Sequence, residues 1–157
     1  VICDPARLGE RIVRMIDPPF RSPRERVGGL YYFGRILDKI RCHLRETLPE
    51  EYRPNFGVGL DGMLCDMLGV THADLIERMR DGGTDEEILE WCCARGTRLN
   101  SVQVHIWNEF ARKVGWNDRV AQFLSKVKGE DGTTAETADL LTAFELMDYR
   151  EGRSQKV

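Results

Sequence analysis

The densest concentration of chemically capable side chains is Arg21-Ser22-Pro23-Arg24-Glu25-Arg26, followed by Arg35, Lys39 and Arg41. A helix starting after Ser22 would offer free backbone amides and the positive end of its dipole, which suits an anion. Arg21 and Arg24 add forked donors that match a phosphate, sulfate or carboxylate. Arg35 and Lys39 follow one turn apart on the next helix, and Gly28-Gly29 lets the two helices fold back closely. Arg21, Ser22, Arg24, Arg35 and Lys39 are therefore the candidate anion-binding residues. Asp38, Asp61, His105 and Asn108 are the candidate polar partners. The plain alternative is a capped helix start whose solvated arginines pair with Glu25 and Asp38.

Other chemistries have thinner support. Cys3, Cys42, Cys65, Cys92 and Cys93 form an odd set without framework spacing, and a vicinal pair makes a poor disulfide. Free thiols point to a reducing compartment, so a cytoplasmic location is expected. His43, His72 and His105 lie far apart, and a metal site would have to be assembled in space from His105, Cys92 or Cys93 and a carboxylate. No metal and no cofactor is expected. Cys92 falls on the packed face of its helix and only Arg95 is close, which argues weakly for redox work. No phosphate loop, dinucleotide loop, H-E-x-x-H or G-x-S-x-G is present. Asp61 reads as a cap or turn residue, Trp107 as core, and Glu145, Asp148 and Glu151 with Arg150 and Arg153 as surface ion pairs.

Composition narrows the function classes. The chain has 157 residues, 41% of them hydrophobic, and a net charge of -3. That supports a core and excludes a domain-wide basic footprint for nucleic acid. No apolar run exceeds four residues, against roughly 20 for a membrane span, and no secretory signal pattern opens the sequence. What remains is a binding or regulatory module for a small anionic ligand or a protein partner, with a homo-oligomer among the options. The alternative is an enzyme acting on a small anionic substrate, with arginine anchors and Asp38, Asp61 or His105 as acid or base.

Helix punctuation places these residues. Asp4-Pro5 opens a helix with Leu8, Ile12 and Ile16 on one face, and Asp17-Pro18-Pro19 stops it, so residues 1–20 read as an N-terminal helix and a Pro-rich link. Ser22 to Glu25 reads as a capping box. The longest helix spans Leu30–Thr47, with Leu30, Phe33, Leu37, Ile40 and Leu44 inward and Arg35, Asp38, Lys39, Cys42 and Arg45 opposite. Pro49–Gly59 is a loop and Leu60–Leu68 a short helix. Thr71 caps a helix carrying Leu75, Ile76 and Met79, ended by Gly82-Gly83. Thr84–Glu87 is a capping box for a helix with Ile88, Leu89 and Cys92, closed by Gly96. Asn100 or Ser101 starts the next, with Trp107, Phe110, Ala111 and Val114 inward. Asn117 caps a helix with Val120, Leu124 and Val127, and Thr133–Glu136 is a further capping box. The last helix carries Leu140, Leu141, Phe144 and Met147, and residues 152–157 read as a polar tail.

Val102-Gln103-Val104-His105-Ile106 alternates at the strand period. Helix is still the expected reading, because a strand there would have only Asn55–Leu60 as an extended partner. The expectation is one all-α domain of about seven to nine helices. Its core should include Phe33, Leu37, Ile40, Leu44, Leu64, Leu75, Trp107, Phe110 and Leu124.

Several segments, in this order, resemble an uncharacterised family of small helical bacterial proteins, domain of unknown function 5069. They are Arg21 to Leu30, Ile36 to Arg41, Asp61 to Gly69, Thr84 to Trp91, Ile106-Trp107-Asn108, Lys113 to Trp116, and Asp148 to Arg153. The resemblance implies a bacterial, cytoplasmic, all-helical protein and brings no activity, cofactor or catalytic residue.

Overall fold

A computed structural model describes residues 19–130, 137 and 139–153. The expected helix over residues 5–16, Cys3, and the Thr133–Glu136 box lie outside the described residues. Among the described residues the fold is all-α, with seven α-helices and one 3-10 helix. The backbone groups into two units, Pro19–Ala111 and the part that begins at Arg112.

The first unit holds α1 (Phe33–Leu44), the 3-10 turn (Glu50–Asn55), α2 (Leu60–Leu68), α3 (His72–Arg80), α4 (Asp85–Arg95) and most of α5 (Ser101–Lys113). α1 packs on α3, and α3 packs on α2 and α4. Phe33, Leu37, Ile40, Leu64, Leu75, Ile88 and Trp107 are buried, so the 3.6-residue pattern located most of this core. Leu44 is half-buried. The capping signals act as expected. Thr71 accepts from the Asp74 amide, and Thr84 and Glu87 form a reciprocal box. Asn100 and Gln103 do the same at α5, with Asn100 N donating to Gln103 Oε1 at 2.8 Å and Gln103 N donating to Asn100 Oδ1 at 2.9 Å.

Three readings of this unit need correction. No helix starts at Ser22. Pro23 sits in a turn whose carbonyl accepts from the Tyr32 amide at 2.8 Å, and Val27 and Leu30 form an isolated antiparallel bridge. Gly28 and Gly29 hold left-handed φ values of 57° and 81°, so they reverse the chain instead of ending a helix. α1 accordingly begins at Phe33, preceded by Tyr32 at φ 73° with no side-chain cap. The face of α1 read as solvated is buried at Arg35, Lys39 and Cys42, for reasons given below. Residues 102–106 are helical, as expected, but Phe110, expected in the core, is 45% exposed.

The second unit holds α6 (Ala121–Glu130) and α7 (Ala143–Arg150). Leu124, Leu140 and Leu146 form its core, with Val127 and Tyr149 against them. Asp118, not Asn117, organises the start of α6. Its carboxylate accepts from the Gly115 and Val120 amides at 2.9 and 2.8 Å, while Asn117 sits at φ 52°. Thr142 and Glu145 form the capping box of α7, which leaves Leu141 outside the helix and exposed. Asp148 and Glu151 do pair with Arg153, but both carboxylates are buried and not on the surface. Arg153 is thereby tied down, and residues 154–157 of the expected tail lie outside the described residues.

Candidate functional site

The arginine cluster folds into an internal ion network. Arg21 donates from Nη2 to Asp38 Oδ1 at 2.8 Å, from Nε to Asp38 Oδ2 at 2.9 Å and from Nη1 to Asp85 Oδ2 at 2.6 Å. Arg41 donates to the same two carboxylates, at 3.2 Å to Asp38 and 2.6 Å to Asp85. Two guanidiniums and two carboxylates thus alternate in a closed ring that ties the entry segment and α1 to the first turn of α4. Burial alone would raise the Asp85 pKa, but the hydrogen bonds from Arg21 and Arg41 outweigh it and hold the carboxyl below its ordinary value. Hydrogen bonding to Asp38 likewise raises Arg21, against burial. Asp85 is the residue that sequence reading missed. It read only as the first turn of a capped helix, and no local signal shows that a guanidinium 64 positions away reaches it.

The next turn inward holds a second cluster. Lys39 and Asp61 form a buried ion pair, the side chains 4% and 0% exposed. Tyr32 Oη donates to Asp61 Oδ1 at 2.9 Å and accepts from Lys39 Nζ at 3.2 Å. The Gly57 amide donates to Asp61 Oδ2 at 3.0 Å. This explains why the polar face of α1 is buried: α2 and the glycine loop before it deliver a carboxylate and a backbone donor to the ammonium. Without them its burial would be prohibitive. Arg35, one turn earlier, donates to the Arg21 carbonyl at 3.2 Å and lies 5.3 Å from the Phe20 ring centre and 5.9 Å from that of Tyr52.

His72, absent from the candidate list, borders this cluster. Its ring packs edge-on to Phe56 at 4.6 Å. A side chain at Gly57 would meet His72 Nδ1 at 2.8 Å, and Gly57 also needs φ 79°, so glycine is required there. Nε2 of His72 is buried without a hydrogen-bond partner. Burial, aided by Lys39 and His43 and opposed by Asp61, lowers its pKa below the ordinary 6.5.

The structure does not bring the remaining candidates to these clusters. Ser22 Oγ accepts from the Arg24 amide at 3.2 Å in the turn, and Arg24 is exposed. Asn108 on α5 accepts from the Tyr31 amide at 2.9 Å and donates to the Gly29 carbonyl at 2.8 Å, so it pins the glycine turn. His105, one turn earlier on α5, is exposed. Among the described residues no group of three or more His, Cys, Asp and Glu is arranged to hold a metal. Cys42, Cys65, Cys92 and Cys93 are free thiols. Burial pushes Cys65 and Cys92 up to about 12, so both stay protonated at neutral pH and are poor nucleophiles.

Two further surface features stand out in the first unit. A cleft of about 280 Å³ is lined by Leu30, Leu68, Leu89, Cys93, Leu99 and Val104 together with Glu86, Glu90 and Arg98. None of the candidate anion-binding residues lines it. The second feature is a row along α5. Val102, Ile106 and Phe110 are spaced by four and are 63%, 58% and 45% exposed, so they form one apolar stripe facing solvent.

No helix among the described residues is long and apolar enough to cross a membrane. No curated protein matches the chain. The model of a family described as domain of unknown function 5069 matches residues 17–153, nearly the whole sequence, and the chain belongs to that family.

Proposed function

We propose that the protein is a binding module that engages a protein partner through the outer face of α5. The observation that carries this is the exposed row Val102, Ile106 and Phe110. Single exposed apolar residues are ordinary, but a contiguous helical stripe of large ones is the mark of a docking face. The charged clusters support the same division of labour. Arg21 and Arg41 are matched by Asp38 and Asp85, and Lys39 by Asp61, so this charge is used in holding the fold. The four free cysteines among the described residues support a reducing, cytoplasmic setting.

A photo-crosslinking side chain at position 106 tests this reading in cells, with position 58 as the control because Val58 is also exposed, at 53%. Crosslinks to protein from position 106 and not from 58 are expected. Equal or absent crosslinking from 106 overturns the proposal.

One observation favours a second reading, an anion-binding protein or an enzyme on a small anionic substrate: Lys39, Tyr32 and Asp61 form one buried cluster, and Arg35 is buried one turn before Lys39 on α1. A rise in melting temperature with inorganic phosphate or citrate that disappears in Arg35→Met supports it, and no rise removes it.

A further inference from the structure

We infer that the occupant of the α5 face is a second copy of the same face, packed antiparallel about Ile106. This rests on the binding-module reading and names its partner. The row is graded in size along the helix, from Val102 through Ile106 to Phe110. A two-fold axis through Ile106 sets the smallest side chain of one copy against the largest of the other, and Ile106 against itself. Each level across the interface then holds a similar volume, which a close-packed contact requires. A parallel pairing would instead stack Phe110 on Phe110 and Val102 on Val102, crowding one end and leaving a hole at the other.

The flank of the row carries a hydrogen-bond donor and an acceptor that match. His105 and Glu109 lie one turn apart on the same side of the stripe. A two-fold axis of this kind keeps that flank on the same side in both copies and reverses its direction. Glu109, three residues beyond Ile106, then comes beside His105 of the second copy, and the contact occurs twice. An imidazole N–H donating to a carboxylate at each rim fixes the antiparallel register, as rim polar groups do in other helix pairs. One helix face makes a small interface, so the association is weak and concentration-dependent.

Sedimentation of the full chain from about 10 μM to about 1 mM, a range suited to a small interface, reads the association. The parent chain is expected to convert from monomer to dimer across the series, and Ile106→Lys to remain monomeric while melting like the parent. Size complementarity gives a sharper arm. Val102→Phe sets phenylalanine against phenylalanine and Phe110→Val sets valine against valine, so each alone should weaken dimerisation at least tenfold. The double variant Val102→Phe/Phe110→Val restores a large residue opposite a small one and should regain most of the affinity. A monomeric parent at every concentration overturns the inference, and so does a double variant weaker than both singles. If the parent is monomeric while position 106 still crosslinks to a different protein, self-pairing fails and the binding-module reading stands. If neither occurs, both fall.

Discussion

Helix α1 buries Arg35 and Lys39 to 2% and 3% exposure, whereas α5 leaves Val102, Ile106 and Phe110 in solvent. Both helices are amphipathic, and in each one face does the opposite of what its polarity suggests. On α1 the polar face is covered because the covering segments bring their own polar groups: Asp61, Tyr32 and the Gly57 amide around Lys39. On α5 one face is used internally. Trp107 and Ala111 are buried, Trp107 Nε1 donates to the Tyr31 carbonyl at 2.9 Å, and Asn108 grips the Gly29 turn. The apolar residues on the other side of α5 are left over from folding, which makes them available for association. On the proposed reading α1 serves stability alone while the outer face of α5 serves binding, and substitutions should separate the two.

The largest expected effect is at Asp61. Asp61→Ala strands the Lys39 ammonium in the interior and should cost about 3–5 kcal/mol, read from denaturant midpoints. Lys39→Met combined with Asp61→Leu removes both charges and should recover most of that loss. An Asp61→Ala chain as stable as the parent would mean that water reaches Lys39 and that α1 is not closed on that face.

Leu37→Ala, at a fully buried position of α1, should cost about 2–5 kcal/mol. Ile106→Ala should change stability by no more than about 0.5 kcal/mol. The gap between the two measures the contrast between the helices directly. If both cost the same, the α5 row is packed in the folded chain and the binding face disappears.

Asp85→Asn weakens the ring with Arg21 and Arg41, and a cost of about 1–2 kcal/mol is expected for hydrogen bonds to charged groups that are partly screened at the surface. The pH dependence has a defined sign. The folded pKa of Asp85 lies below its ordinary 3.8, so its stabilisation is complete above 3.8 and is lost as pH falls through the lower folded value. Urea midpoints measured down the acid limb should fall less steeply in Asp85→Asn than in the parent.

The smallest effect is at His72. Its folded pKa lies below 6.5, so the folded chain binds fewer protons there than the unfolded chain. Its contribution to stability is complete above 6.5 and declines as pH falls from 6.5 toward the folded value. His72→Gln should flatten this part of the profile, and NMR titration of the ring should show a midpoint below 6.5. A midpoint at or above 6.5 would show that the Phe56–Gly57 wall is open to solvent.

Local sequence determined most of the helices and several of their ends. Thr71 and Thr84 with Glu87 cap where their spacing says, and Leu37, Ile40, Leu64 and Leu75 are core because an apolar residue every three or four positions makes one helix face. The family was legible too, since it rests on ordered segments along the chain. Tertiary structure alone decided the fate of the charges. Periodicity reports which side chains share a face, but covering a charged face depends on whether a distant segment supplies the opposite charge. Asp61 reaches Lys39 from 22 positions away and Asp85 reaches Arg21 from 64. The same limit explains Phe110, because α5 carries more apolar surface than its neighbours in the first unit cover. An isolated pattern cannot say which of two apolar edges a neighbour will take, because that choice is made by the positions of the Gly28-Gly29 turn and Tyr31, which bond to Trp107 and Asn108 on the opposite edge.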